Sequence, residues 1–177
     1  VIYMSLSREE LLNWVENHIV LGEGLDILKN DCDIIEFMLD NCEIEIPNHN
    51  RFFVKVDCED VADLVKVKRI KPFHALPTAA GFQDGIDAFA YTGNCDYSHT
   101  NAEWESVISL GIYGLRKRIE KYARTNTANE RCRSFYEQEM RVFDAALRFI
   151  KRASMKAASC GRSEMASSLL RLTENSP

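Results

Sequence analysis

Residues 100–122 read Thr100-Asn101-Ala102-Glu103-Trp104-Glu105-Ser106-Val107-Ile108-Ser109-Leu110-Gly111-Ile112-Tyr113-Gly114-Leu115-Arg116-Lys117-Arg118-Ile119-Glu120-Lys121-Tyr122. The first four residues form a capping box, in which the Thr100 hydroxyl takes the amide three residues on and Glu103 reaches back. Behind it, Trp104, Val107, Ile108, Gly111, Leu115, Ile119 and Tyr122 recur at steps of three and four, with Arg116, Lys117, Glu120 and Lys121 on the opposite face. That period is the signature of an amphipathic helix, and it sets the class of the chain as mainly α.

Downstream, Thr125 to Asn129 is a short polar link. Tyr136, Met140, Phe143, Leu147 and Ile150 then make a second apolar face, continued by Ala153, Ala157 and Ala158. Two long helices joined by a short link are expected to pack as an antiparallel hairpin. Gly161 is suited to the C′ position, and Ser163 can cap a last helix through Leu172.

Upstream, residues 72–99 hold Pro72, Pro77, Gly81, Gly85 and Gly93 and have no sustained period, so they read as a long loop. Residues 1–71 read as helices plus a short β-hairpin. Ser7-Arg8-Glu9-Glu10 is a capping box for a helix running to about Leu21, and Leu25 to Asn41 is a second helical region. The polar middle of that region, Lys29-Asn30-Asp31-Cys32-Asp33, raises the alternative of a break. Glu43-Ile44-Glu45-Ile46 alternates with period two. Pro47 to Asn50 reads as a turn, and Arg51 to Val56 is rich in aromatic and β-branched residues, as a return strand would be. Val61 to Ile70 fits a helix and a strand equally. The expected organisation is one mostly helical domain over 1–177, without internal repeats.

The chain has 177 residues, 46% hydrophobic and 28% charged, with a net charge of -5. That is ample for a folded core. An acidic balance argues against general nucleic-acid binding and against anionic membrane surfaces. No apolar run approaches the roughly 20 residues that span a bilayer, and no secretory leader pattern opens the chain, so the expected location is the cytoplasm. Cys32, Cys42, Cys58, Cys95, Cys132 and Cys160 are scattered without a Cys-x-x-Cys pair, and are expected as free, buried thiols.

His99 is the leading candidate for chemistry. It lies just ahead of a helix N-terminus, whose dipole favours the neutral ring that can hydrogen-bond a substrate. Asp84, Asp87 and Asp96 share its loop; an acid–base pair is one reading and satisfied turn amides the plainer one. Cys95 near His99 and Asp96 would suit a small hydrolase, which an unreactive Cys95 thiol would exclude. His49, Asp57 and Cys58 match no standard metal spacing, and no metal is expected. The basic runs Arg116-Lys117-Arg118 and Arg148, Lys151, Arg152 read as solvated faces. The Met, Trp and Tyr residues of the helix stripes read as core. There is no phosphate-binding Gly-rich loop, Gly-x-Ser-x-Gly or His-Glu-x-x-His motif.

From about Gly93 to Pro177 the chain resembles the N-terminal helical region of the pyruvate formate-lyase-like glycyl radical enzymes. Members of that family often carry Gly-His-x-x-x-Asp-Tyr-Glu, then a helix of the form Lys-Val-Leu-x-x-Gly-Leu-x-Gly. Here Ser98-His99-Thr100-Asn101-Ala102-Glu103-Trp104-Glu105 precedes Ser106-Val107-Ile108-Ser109-Leu110-Gly111-Ile112-Tyr113-Gly114. Ser134-Phe135-Tyr136-Glu137 through Ala153 is similar to the family's next helix, and Glu43 to Val54 to its upstream strand region. Glu103, Trp104 and Ser98 depart from the family's Asp, Tyr and Gly.

The resemblance implies the N-terminal part of a larger α/β barrel enzyme that cleaves a C–C or C–heteroatom bond in a small polar substrate. The glycyl radical would be installed by an S-adenosylmethionine-dependent activase. In that family the thiyl cysteine and the radical glycine lie far downstream, so neither role falls on this segment and it is expected to be inactive alone. His99 is the one position carried over, as a substrate-pocket residue. The expected partner is the remainder of the barrel enzyme. The alternative is a non-enzymatic helical interaction module with a helical protein partner or a second copy of itself.

Overall fold

The computed structural model describes residues 5–21, 25–47, 55–56, 64, 103–126 and 129–174. Among them the elements are helix α1 (Arg8–His18), α2 (Leu25–Asn41), strands β1 (Ile44–Glu45) and β2 (Lys55–Val56), then α3 (Trp104–Thr125), α4 (Glu130–Ser159) and α5 (Ser163–Arg171). The chain is mainly helical, as its periodicity dictates. None of the described helices is long and apolar enough to cross a membrane.

The Ser7 capping box opens α1: the Glu10 amide donates to Ser7 Oγ at 3.3 Å, and the Ser7 amide donates to the Glu10 carboxylate at 2.8 Å. The helix stops at His18, three residues short of the expected end, and α2 supplies the reason. Asn30 Nδ2 donates to the His18 carbonyl at 2.6 Å, and the Val20 amide donates to Asn30 Oδ1 at 2.9 Å. One buried amide side chain thus closes the end of α1 from another helix. The polar middle of α2 is therefore no break; α2 runs unbroken, with Asn30 and Cys32 both buried. Trp14 reinforces the contact by stacking on His18 and on Phe37 of α2, with ring centroids 3.9 and 3.6 Å apart.

Strand β1 is shorter than the alternation over 43–46 suggests. Ile44 pairs with Val56 and Glu45 with Lys55, antiparallel. Of the turn expected over Pro47 to Asn50, only Pro47 is among the described residues, and the start of the return strand lies outside them. So does the stretch 61–70, except Leu64, which packs on the first core cluster.

The fold is organised around α4, which packs against α2, α3, α5 and β1. One core cluster joins Leu11, Val15, Ile34, Met38 and Cys42; the other joins Ile44, Ile46, Ala153, Ala157 and Ala166, and Phe149 of α4 touches both. The alanines let β1 and α5 approach the α4 backbone closely. The end of α4 is a Schellman turn. The Gly161 amide donates to the Ala158 carbonyl at 3.0 Å and the Arg162 amide to the Ala157 carbonyl at 2.9 Å, with Gly161 at φ 74° as its C′ position requires. Arg162, not Ser163, is the N-cap of α5, and no side chain caps it.

α3 departs most from expectation. Gly111 has φ 57° and ψ −178°, so the helix is interrupted there. Arg118 Nη1 donates to Ser106 Oγ at 2.9 Å, twelve residues apart. In a straight helix those residues would stand about 18 Å apart along the axis, beyond the reach of the arginine. Gly111 therefore bends residues 104–110 back toward the second half of α3. The helix starts at Trp104 after an N-cap Glu103 that makes no side-chain cap bond; the expected cap Thr100 lies outside the described residues.

Candidate functional site

His99, the leading sequence candidate, lies outside the described residues, as do Asp84, Asp87, Cys95, Asp96, His49, Asp57 and Cys58. Three other arrangements of polar or exposed side chains stand on the described helices.

The first is the seam between α2 and α4. Arg141 Nε donates to Glu36 at 3.0 Å and its Nη2 to Asp33 at 2.7 Å. Seven residues on, Arg148 grips Asp40 in a two-pronged contact at 2.9 and 2.7 Å and reaches Glu36 at 2.9 Å. Arg152 follows, donating at 2.7 Å to each of the Leu39 and Cys42 carbonyls. Partners on the two helices advance together, so α2 and α4 run parallel. Asp40 sits at the C-terminal end of α2, where its own helix dipole opposes it; Arg148 supplies the compensating charge. On the other side of α4, Arg116 of α3 makes a two-pronged contact with Asp144 at 2.9 and 3.2 Å.

These contacts correct the reading of both basic runs as solvated faces. Arg152 is 7% exposed, and Arg116 and Arg148 each tie two helices together. Lys117, Lys151 and, despite its contacts, Arg148 remain exposed as expected, and Lys117 lies over the Tyr113 ring at 4.4 Å. Asp33, Glu36 and Asp40 are all held by guanidinium groups, so the seam is a structural clamp and offers no free acid–base pair.

Beside the clamp, burial raises the Cys32 thiol to about 11, with Glu139 adding to the effect. That thiol is protonated at neutral pH and is no nucleophile. Desolvation also raises the Glu139 carboxyl. Cys42 is buried, Cys132 is half-buried and Cys160 is exposed; none of the four described cysteines is in a disulfide. The expectation of uniformly buried thiols therefore fails at Cys160, which follows the last residue of α4. No group of three or more metal-ligating side chains occurs among the described residues.

The second arrangement is an open cleft of about 280 Å³ where the first turns of α2 and α4 lie side by side, lined by Leu25, Leu28, Arg131, Cys132, Phe135 and Tyr136. The third is the outward face of the bent segment of α3. Trp104 and Ile108, one turn apart, are 64% and 68% exposed, and Tyr122 at the far end of the helix is 47% exposed. The apolar stripe was expected to be core. Within the bent first third, ahead of Gly111, Trp104 and Ile108 instead stay uncovered, and no residue of α3 is fully buried.

The clamp could not be found by motif, because its members are 105–113 residues apart in sequence. A faint signal existed: Asp33, Glu36 and Asp40 share a helix face, and Arg141, Arg148 and Arg152 recur at steps of seven and four. No protein-family model, curated protein or solved structure matches this chain.

Proposed function

We propose that this chain is the N-terminal helical portion of a pyruvate formate-lyase-like glycyl radical enzyme. The observation that carries the reading is Gly111. The resemblance places the first glycine of the Val-x-x-x-Gly-x-x-Gly helix at this position. Gly111 adopts φ 57°, a conformation that penalises every residue with a Cβ. A glycine in the motif thus has a physical reason: it permits the bend that carries residues 104–110 off the axis of the rest of the helix. The exposed Trp104 and Ile108 support the same reading, since a segment that lies against a barrel leaves such apolar groups uncovered when viewed by itself.

In this role the segment contributes a helical support and His99 at the substrate pocket, and performs no radical step. The glycyl radical of the whole enzyme, installed by an S-adenosylmethionine-dependent activase, supplies the bond cleavage. The test is the reading frame past Pro177, followed by anaerobic activation of its product. A downstream cysteine, an Arg-x-x-Gly-type loop and an air-sensitive glycyl radical signal in electron paramagnetic resonance are expected. A frame that stops at Pro177, or a product that yields no radical signal with activase and S-adenosylmethionine, overturns the reading.

The second reading is a helical protein-interaction module, favoured by the same Trp104–Ile108 pair if a separate protein covers it. A defined monomer or dimer across concentrations in light scattering supports the module. Open-ended association supports a segment parted from its barrel.

A further inference from the structure

The cleft between the starts of α2 and α4 belongs to neither the clamp nor the α3 face, and it is independent of the reading above. Leu25 and Leu28, three residues apart, wall one side. Cys132, Phe135 and Tyr136 share one face of α4 and wall the other, with the Phe135 and Tyr136 rings set edge to face at 5.4 Å. The wall is mostly apolar, yet it remains open. At about 280 Å³ it lies just below the size range of small-molecule sites and suits a fragment-sized guest.

The charge around it has one sign within the lining. Arg131 lines the cleft and makes no ion pair among the described residues. Arg116, Arg118, Arg141, Arg148 and Arg152 are by contrast each committed to a carboxylate, a carbonyl or a hydroxyl. The parallel course of α2 and α4 also sets two helix N-termini next to each other at this end. Their dipoles add positive potential at the cleft mouth. Asn129 caps α4 by accepting the Arg131 amide at 2.9 Å, which fixes the backbone from which the Arg131 side chain springs. Asp26 and Glu130 offset part of the dipole field, but neither lines the cleft.

We propose that this cleft binds a small monocarboxylate with an aromatic or alkyl body, its apolar end between Leu28 and Phe135 and its carboxylate on Arg131. An apolar wall alone would take any hydrophobic fragment. The single uncommitted guanidinium at the rim selects for the anion.

The test titrates the 177-residue chain with 3-phenylpropionate and, separately, with 3-phenylpropan-1-ol, its neutral analogue. Backbone amide shifts are followed at Leu25, Leu28, Cys132 and Phe135. Saturable shifts at those residues are expected, with the carboxylate binding about tenfold more tightly than the alcohol. Arg131 is exposed, so Arg131→Gln leaves the fold intact. It should bring the carboxylate down to the affinity of the alcohol. Absence of saturable shifts, equal binding of the two compounds by the unaltered chain, or a carboxylate preference that survives Arg131→Gln would each overturn the proposal.

Discussion

Gly161 and Glu139 show how a single residue's environment sets the cost of changing it. A Cβ built on Gly161 meets nothing within 4 Å, so replacing it by alanine costs backbone strain alone. Gly161→Ala is expected to lower stability by about 1–2 kcal/mol, read from urea unfolding at unchanged m. Glu139 acts through charge. Its carboxyl is raised from 4.5 by desolvation, so the native state holds the proton more tightly than the unfolded chain does. That contribution is fully present below pH 4.5 and is lost as pH rises through the native value. Glu139→Gln should therefore stabilise the protein at pH 7 and lose its advantage at pH 4, which paired melting curves at the two values measure. A destabilised variant at pH 7 would mean that the carboxylate has a favourable partner in solution. Cysteine reactivity follows burial in the same way. Among the four described cysteines, labelling at pH 8 with peptide mapping should find Cys160 before Cys132, with Cys32 and Cys42 modified only on unfolding.

Between elements, the α2–α4 seam separates exposed ion pairing from buried hydrogen bonding. Arg148 carries the more conspicuous contacts, but its side chain is 46% exposed, and water screens what it gains. Arg148→Ala is expected to cost about 0.5–1 kcal/mol. Arg152 touches no carboxylate in the clamp. It satisfies two carbonyls at the C-terminal end of α2, where the helix has no partners of its own, and it does so out of water. Arg152→Ala should cost about 2–4 kcal/mol, several times its neighbour. Equal losses in chemical denaturation would show that the seam acts as one electrostatic unit. The local parts of these helices were legible in sequence: the Ser7 box, the Gly161 terminus and the apolar period of α4 all rest on neighbours within one turn. Asn30 and Arg152 were misread because polar residues in a helix look alike in sequence whether they face water or another helix's unpaired backbone.

For the molecule as a whole, the same limit explains what the sequence withheld. The antiparallel α3–α4 pair follows from a link of a few residues, whereas the parallel α2–α4 pair is made across a separation of more than a hundred, which no local period encodes. The straight stripe from Trp104 to Tyr122 implied one buried face; one positive φ at Gly111 turned its first third outward. That geometry makes a prediction about association. Trp104 and Ile108 add nothing to the core yet present a contiguous apolar surface. The chain by itself should therefore self-associate with rising concentration, and Trp104→Arg combined with Ile108→Glu should hold it monomeric in sedimentation velocity. Because both side chains are mostly exposed, the melting temperature of the doubly substituted chain at low concentration should stay within about 2 °C of the parent. A larger drop would place these residues in a folded contact of the isolated chain. Unchanged association would move the sticky surface elsewhere, to Leu170 and Leu172 at the end of α5, the next exposed apolar pair along the chain.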